Sequence, residues 1–270
     1  MKINCRFVEK ILTSFIKEEL TKFNFKKGLL GLSGGLDSTL CAYFSVKAMG
    51  KQNIIGLILP YKETFKKDTE DAKEIAKKLG IEYKIIDISP MIDLYYQNHP
   101  NPDKNARGNK MARERMSILY EFSSQYKAMV LGTSNKTELL IGYGTIHGDM
   151  ACGINPLGDL YKTQIRQLAQ YMGIPDKIVN KKPTAGLWSG QSDEQEIGLE
   201  YEELDSILYQ LADKRRSKDE IISLGYKKES VEKIIHLVKT SEFKRKLPPI
   251  PKVSSRTVGH DFLYPYDWDK

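Results

Sequence analysis

One stretch of the sequence decides the fold: Gly28-Leu-Leu-Gly31-Leu-Ser33-Gly34-Gly35-Leu36-Asp37-Ser38-Thr39. Its apolar half has the length of a buried strand, and a run of helix-compatible residues begins after the two glycines. A strand, a glycine loop and a helix N-terminus in this order direct backbone N–H groups and the positive end of the helix dipole to one point. The stretch therefore predicts a binding site for a polyanion such as a phosphate chain.

Strands and helices alternate after this stretch. Residues 53–60, 82–88 and 128–131 are predicted strands, and residues 36–49, 66–79 and 108–126 are predicted helices. The alternation is typical of βαβ units, so we expect an α/β fold with a Rossmann-like, doubly wound parallel sheet and helices on both faces. Residues 91–107 contain several helix breakers and are predicted to form an irregular loop near a ligand.

The regions on either side are predicted to be helical. An amphipathic stripe of Val8, Ile11, Leu12, Phe15 and Ile16 is expected to cover one face of the sheet. Three further stripes predict a helical C-terminal part. We expect a single domain over residues 1–246, with an α/β core at about 28–175, followed by a C-terminal tail at 247–270 that carries Tyr264, Tyr266 and Trp268.

Composition narrows the functional classes. The 270 residues are 40% hydrophobic and 29% charged, and the apolar runs are only as long as strands, so we expect a cytoplasmic protein with no membrane partner. The three cysteines lack the spacing of a disulfide framework or a zinc site. The net charge of +7 comes from dispersed lysine pairs, which favours solvated helix faces over a nucleic-acid surface.

Polar residues follow two of the predicted strands, at 33–38 and 133–138. In the usual strand orders of doubly wound sheets these strands lie side by side, so the carboxylates of Asp37 and Glu138 are expected to converge. Two carboxylates beside a polyphosphate are a common means of binding Mg²⁺. Taken singly, Asp37 could be only a partner of the helix dipole, and Glu138 a solvated loop acid.

The string from Ser33 to Ser38, placed after a strand, resembles the pyrophosphate loop of the N-type ATP pyrophosphatases. That superfamily has the adenine nucleotide alpha hydrolase-like fold and cleaves ATP between its α and β phosphates. Within it, the chain resembles the ammonia-dependent NAD synthetases over roughly residues 28–210. The segments that carry the resemblance are Ala112-Arg113-Glu-Arg-Met116-Ser117, Leu131-Gly-Thr133-Ser-Asn-Lys-Thr-Glu138, Gly142-Tyr-Gly-Thr145, Gly148-Asp149, Asn155-Pro-Leu-Gly-Asp-Leu-Tyr-Lys162-Thr163, Lys182-Pro-Thr184-Ala185 and Gln191-Ser-Asp-Glu194.

The resemblance implies ATP and Mg²⁺ as cofactors and assigns a set of site residues. Those implied to hold the ATP phosphates are Gly31, Leu32, Ser33, Gly34, Gly35, Leu36, Asp37 and Ser38. Thr133, Lys162 and Thr184 match ATP-contacting positions, and Arg113 matches a position that contacts deamido-NAD. Asp37 and Glu138 are implied to bind the magnesium ion, with Asp37 and Lys162 as the catalytic pair.

The implied reaction has two displacements. The nicotinate carboxylate of deamido-NAD attacks the α-phosphorus of ATP, and ammonia then attacks the resulting acyl adenylate to give NAD and AMP. Because no amidase domain precedes the first helix, free ammonia is the expected donor, although a separate glutaminase subunit stays open. The resemblance also implies a homodimer whose site lies near the subunit interface. The candidate contact surfaces are the helix at residues 8–16 and the helix next to the fourth predicted strand, residues 128–131, here called the strand-four helix.

Three positions depart from the pattern of many bacterial members of the family. Ile146 replaces a lysine, Gly153 replaces an aspartate, and Phe243-Lys244 replaces a His-Lys pair. These departures affect the implied contacts to deamido-NAD. We expect His147, Asp149 and Lys244 to substitute in part.

Three other functions are compatible with the loop alone. A transfer-RNA-modifying enzyme would fit the basic charge, but those enzymes usually carry cysteine pairs or an RNA-binding extension. Another amidating ligase would share the adenylation step without the segment from Gly132 to Glu138. A regulatory nucleotide-binding module would be expected to have lost Asp37 or Glu138, and both are present.

Overall fold

The structure is a computed structural model that describes residues 1–62, 66–99, 103–188 and 190–258. Within these residues a parallel sheet is formed by β1 (Lys27–Gly31), β2 (Ile54–Ile58), β3 (Glu82–Ile85) and β4 (Ala128–Val130), in the order β3-β2-β1-β4. Leu29 of β1 is in register with Ile55 of β2 and Val130 of β4. The parallel sheet is confirmed, and so is the pairing of the first and fourth strands.

Helices connect and cover the strands. Their bounds are α1 (Cys5–Lys22), α2 (Leu36–Met49), α3 (Lys66–Leu79), α4 (Ser89–Asn98), α5 (Lys104–Tyr126), α6 (Lys136–Ile141), α7 (Lys162–Tyr171), α8 (Asp176–Val179), α9 (Asp193–Ile197), α10 (Tyr201–Leu208), α11 (Lys218–Ser223) and α12 (Lys228–Thr240). The predicted bounds of α2 and α3 are those of the structure. The predicted strand at 53–60 extends beyond β2 at both ends, and those at 82–88 and 128–131 extend beyond the ends of β3 and β4 by three residues and one residue.

The sheet is covered on both faces. Alternate residues of a strand point to opposite faces, so Leu30 packs in a core with α1, α2, α3 and α7, while its neighbour Leu29 packs in a second core with α4 and α5. Both leucines are fully buried. This arrangement confirms the doubly wound α/β fold. A third core, around Tyr201, Leu204 and Val231, joins the helices of the C-terminal part.

Two local predictions are wrong. Residues 91–107 are largely helical, because α4 covers 89–98 with Ile92 buried beneath it, and the Asp103 side chain caps α5 by accepting a hydrogen bond from the Ala106 N–H at 2.7 Å. In α1, Leu12 and Ile16 are buried as predicted, but Ile11 and Phe15 are exposed. The periodic stripe was assigned too wide, because helix α2 covers only one side of α1.

The chain after residue 246 is mostly exposed as far as residue 258. The predicted aromatic residues Tyr264, Tyr266 and Trp268 lie outside the described residues, so the domain boundary at 246 stays a prediction. In the part of the chain that the structure describes, no helix is long and apolar enough to cross a membrane.

Candidate active site

A cavity of about 580 Å³ opens at the carboxyl ends of β1, β2 and β4. Its wall includes several separate segments of the sequence, among them the predicted phosphate-binding loop (residues 31–38, here called the phosphate loop), the end of β4 with α6, the start of α7, and residues 181–188. The sequence-predicted residues on this wall are Gly31, Leu32, Ser33, Gly35, Leu36, Asp37, Ser38, Thr133, Glu138, Lys162 and Thr184. The fold therefore assembles most of the predicted site in one cavity.

The phosphate loop is held in a conformation that requires glycine. Gly34 has φ of +74°, and a Cβ atom there would lie 2.2 Å from the backbone oxygen of Asp68. The Ser33 hydroxyl accepts a hydrogen bond from the Gly35 N–H at 3.2 Å and lies 3.0 Å from the Ser38 hydroxyl. Gly34 is thus buried behind the loop rather than on the cavity wall, and the serines brace the turn.

Helix α2 begins directly at this loop. Its N-cap is Gly35, and among the described residues no side chain caps the helix. The N–H groups of a first helical turn have no partner within the helix, and the dipole adds positive potential there. The end of the loop is consequently suited to bind an anion.

One lysine and two carboxylates meet beside the loop. The Lys162 ammonium forms an ion pair with Asp37 and lies 4.0 Å from the Glu138 carboxylate. The Asn135 amide donates to Asp37 at 3.1 Å, and the Asn135 N–H donates to Glu138 at 3.1 Å. The predicted convergence of Asp37 and Glu138 around one point is confirmed as geometry, and Lys162 is only 5% exposed rather than a surface lysine.

The electrostatics of this group favour a further cation. Burial raises the pKa of Glu138, and the neighbouring Asp37 charge raises it further. Burial opposes the charge of Lys162, but the two carboxylates outweigh it and raise the pKa of the lysine, so the ammonium stays protonated. With both carboxylates ionised, one ammonium would leave net negative charge, so the raised pKa of Glu138 means that a proton or a further cation is needed to balance the pair.

Asp205, which the sequence analysis did not single out, fixes the elements that carry Lys162 and Glu138. Its fully buried carboxylate accepts hydrogen bonds from the Thr137 hydroxyl at 2.5 Å and from the Thr163 N–H at 2.8 Å. The Thr137 hydroxyl accepts in turn from the Lys162 N–H at 3.0 Å. The starts of α6 and α7 are therefore tied to α10 at one point.

Asp193 plays a similar part for the wall that carries Thr184. Its buried carboxylate accepts hydrogen bonds from the Ala185 N–H at 2.9 Å, the Tyr143 hydroxyl at 2.9 Å and the Tyr201 hydroxyl at 3.3 Å. The segment that matched the family motif around Asp193 thus holds the cavity wall in place.

An apolar slot forms the other side of the cavity. It is lined by Leu57, Leu59, Ala112, Met116 and Leu119. Arg115 also lies on this wall and donates from Nε to the Leu59 carbonyl at 3.0 Å, while burial lowers its pKa to about 10. Arg115 was not among the predicted site residues. Its position beside the apolar stripe of α5 is the one feature of the sequence that could have indicated it.

Arg113 is not brought to the cavity with the other predicted residues. Its side chain is exposed and donates from Nε to the Ile146 carbonyl at 3.2 Å. Residues two positions apart on a helix point to different sides, so Arg115 faces the cavity while Arg113 faces outward. The contact between Arg113 and deamido-NAD stays a prediction.

The three residues expected to substitute for the lost family contacts, and Gly153 among the departing positions, have different surroundings. Lys244 lines the cavity and donates to the carbonyls of Gly142 and Gly144 at 2.7 and 2.8 Å. Asp149 also lines it, whereas His147 is exposed and lies outside the lining. A side chain at Gly153 would require Met129 to move, because its Cβ would lie 2.3 Å from the Met129 sulfur.

Comparison with known proteins gives a consistent result. The family model described as NAD synthase matches residues 8–248. The chain is 45% identical over 270 residues to the NH(3)-dependent NAD(+) synthetase of Trichlorobacter lovleyi, covering 100% of this chain and 99% of the relative. It is 44% identical over 253 residues to the enzyme of the same name from Fusobacterium nucleatum, covering 94% and 98%.

Two solved structures share the fold over most of their length. One is the NMN synthetase from Francisella tularensis, with a TM-score of 0.82, 32% identity, and coverage of 93% of this chain and 100% of that one. The other is the NH3-dependent NAD synthetase from Campylobacter jejuni in complex with the nitrate ion, with a TM-score of 0.80 and the same identity and coverage.

Proposed function

The chain belongs to the NAD synthase family, and we propose that it uses ATP to amidate deamido-NAD with ammonia, releasing NAD, AMP and pyrophosphate. The observation that carries the proposal is the meeting of Asp37, Glu138 and Lys162 beside the phosphate loop. Such a site combines an anion-binding helix end, a point positive charge and two adjacent carboxylates, which suits cleavage of ATP at its α-phosphorus.

ATP is proposed to lie along the cavity from the apolar slot to α2. The slot between β2 and α5 is suited to the adenine ring, and the first turn of α2 to the β and γ phosphates. Lys162 would then lie near the α-phosphate, where an ammonium can stabilise the charge that develops during displacement. Thr133 and Thr184 line the space between them and supply hydroxyl donors.

Asp37 and Glu138 are proposed to hold Mg²⁺. The fit is supported by the donor set, since both groups offer the hard oxygen ligands that Mg²⁺ prefers. It is also supported by the raised pKa of Glu138, because burial and the Asp37 charge disfavour a second negative charge there unless a cation offsets it. When bound, the ion would neutralise charge on the phosphate oxygens.

Displacement at phosphorus is proposed to start from the nicotinate carboxylate of deamido-NAD. Its oxygen forms a bond to the α-phosphorus while the bond to the bridging oxygen breaks and pyrophosphate departs onto the end of α2. Ammonia then adds to the acyl carbon and AMP leaves. No covalent protein intermediate is needed, so positioning and charge stabilisation by the cavity supply the catalysis.

The acceptor site is proposed to be completed by a second subunit. A cavity of about 580 Å³ is the size expected for one nucleotide-sized ligand, so a dinucleotide acceptor would extend beyond it. Arg113 lies on the outer surface, where it could reach such an extension. We therefore propose a cytoplasmic homodimer acting on small molecules, with the exposed side of α1 or the strand-four helix at the interface.

A second candidate is amidation of the corresponding mononucleotide. It is favoured by the similarity to the Francisella tularensis protein, which is described as an NMN synthetase. The adenylation half of the site would serve both acceptors, so the two candidates differ only in the ligand beyond Lys162. The ratio of kcat/KM for deamido-NAD and nicotinate mononucleotide would decide between them.

The deciding assay supplies purified protein with ATP, Mg²⁺, ammonium and each acceptor, and measures NAD or NMN together with AMP and pyrophosphate. We expect one AMP and one pyrophosphate per amide formed. Asp37→Asn and Glu138→Gln should each lower kcat/KM by ~10 to 100-fold, as loss of metal-site partners usually does. Glu242→Gln, which alters an exposed ion pair with Lys246, is the matched control and should leave kcat/KM unchanged. Formation of ADP, or wild-type rates in both site variants, would contradict the proposal.

A further inference from the structure

Lys181 connects the phosphate loop to α3 through one ammonium group. Its Nζ donates to the Gly34 carbonyl at 3.0 Å, and it forms ion pairs with Asp68 at 2.6 Å and Asp71 at 2.8 Å. Its side chain is only 19% exposed. Solvated faces are expected for most of the lysine pairs in the sequence, and Lys181 is an exception.

The contact with Gly34 reaches the back of the phosphate loop. Gly34 has a left-handed backbone and lies so close to Asp68 that a Cβ atom would be 2.2 Å from the Asp68 backbone oxygen. The start of α3 therefore packs directly against the loop, and the Lys181 ammonium bridges the two. A shift of this ammonium would therefore change the contact between the phosphate loop and α3.

Asp68 and Asp71 make a cation necessary at this point. Asp68 lines the active-site cavity, and Asp71 is only 6% exposed. Burial tends to raise the pKa of Asp71, but hydrogen bonds from Lys181 and Lys177 outweigh it and lower the pKa, so the carboxylate is ionised. Two carboxylates beside a polyphosphate repel it unless a cation neutralises them.

Lys181 also begins the segment that leads to Thr184 on the opposite wall. It lies two residues after the end of α8, and residues 182–188 continue along the cavity. A side chain fixed to the phosphate loop at position 181 thus limits where Thr184 can lie. The loop, α3 and the Thr184 wall share this one anchor.

We propose that Lys181 is a positioning residue for ATP: it holds the phosphate loop and the Thr184 wall at their binding separation and neutralises Asp68 and Asp71. The inference rests on the proposed use of ATP. It predicts that loss of the ammonium weakens ATP binding itself, whatever the acceptor.

Lys177 offers a matched control. It pairs with the same Asp71, at 3.2 Å, and with Glu74, but it lies on α8 and its side chain is 47% exposed. None of its contacts among the described residues reaches the phosphate loop. Lys177→Met therefore removes a positive charge from the same cluster and leaves the bridge to Gly34 in place.

The experiment measures ATP binding by calorimetry, with Mg²⁺ and without acceptor, for the unsubstituted protein, Lys181→Met, Lys177→Met and Lys181→Arg. We expect Kd for ATP to rise ~10-fold or more in Lys181→Met, the usual effect of losing a hydrogen-bonded charge, and less than ~2-fold in Lys177→Met. Lys181→Arg, which keeps the charge, should recover part of the affinity. In steady-state assays Lys181→Met should raise KM for ATP and leave KM for the acceptor unchanged.

Equal ATP affinity in Lys181→Met and the unsubstituted protein would overturn the inference while leaving the proposed function standing. Equal loss in the Lys177 and Lys181 variants would also overturn it, because the effect would then be one of charge rather than of the bridge. If the unsubstituted protein bound no ATP, the proposed function and the inference would both fail. Should Lys181→Met not fold, Lys181→Leu, which likewise removes both the charge and the donor to Gly34, carries the same comparison.

Discussion

Substitution of Gly34 by alanine tests the proposed geometry of the phosphate loop most directly. An alanine in the left-handed region costs ~1 to 2 kcal/mol. Its Cβ would also lie 2.2 Å from the Asp68 backbone oxygen, whereas Cβ contacts essentially never fall below 3.0 Å. The loop or the start of α3 must therefore move by about 1 Å, and such overpacking costs ~1 to 3 kcal/mol more. We expect Gly34→Ala to lower the free energy of unfolding by about 2 to 5 kcal/mol.

Gly173→Ala separates the two contributions. Gly173 has φ of +68°, and among the described residues no heavy atom lies within 4 Å of the position its Cβ would take. This variant carries the backbone cost without the steric overlap, so it should lose only ~1 to 2 kcal/mol. Urea unfolding of both variants and the unsubstituted protein gives the two values under identical conditions.

Activity provides the second measurement. Movement of the loop by about 1 Å disturbs the N–H groups that are proposed to bind pyrophosphate, and misplacement on this scale can cost ~100-fold in rate. Gly34→Ala should therefore lose most of its ATP affinity and amidation activity at temperatures where it is still folded, and Gly173→Ala should retain both. If Gly34→Ala were no less stable than Gly173→Ala, or bound ATP normally, the reasoning from the Gly34–Asp68 contact would be refuted.

Two further predictions concern other parts of the chain. Glu9 is buried, and hydrogen bonds from Lys47 and Tyr171 lower its pKa below the ordinary value of 4.5. The stabilising contribution of Glu9 is therefore complete above pH 4.5 and is lost as the pH falls through the lowered pKa, and Glu9→Gln should lower the free energy of unfolding by ~1 kcal/mol or less at pH 7. If the difference in unfolding free energy between the variant and the unsubstituted protein did not shrink below pH 4.5, this prediction would be contradicted. Arg113→Met should raise KM for the acceptor by ~10-fold and leave KM for ATP unchanged, because Arg113 lies outside the cavity; a rise in KM for ATP instead would place it in the wrong half of the site.

The sequence was most informative where local chemistry leaves few choices. Gly34 and Gly35 after an apolar run specify a tight loop before a helix, and Gly50 and Gly80 mark where α2 and α3 end. The chain could be assigned to its family because the site residues fall in short motifs. The prediction of an irregular loop at residues 91–107 is wrong, because packing of Ile92 against the sheet stabilises a helix there despite the nearby helix breakers.

Tertiary structure decided which distant groups meet. Lys162 is 125 residues from Asp37 in sequence, and Lys181 is 147 residues from Gly34, so neither contact has a local signature. The roles of Asp205 and Arg115, and the outward direction of Arg113, likewise depend on how α10 and α5 are rotated against the sheet.

The sequence by itself thus determined the phosphate loop, the order of strands and helices, and the family. Only the tertiary structure determined that Lys162 is buried between two carboxylates and that Lys181 supports the loop from behind. The physical reason is that backbone conformation follows from nearest-neighbour sterics and periodicity, whereas burial and charge pairing follow from the packing of residues far apart in the chain.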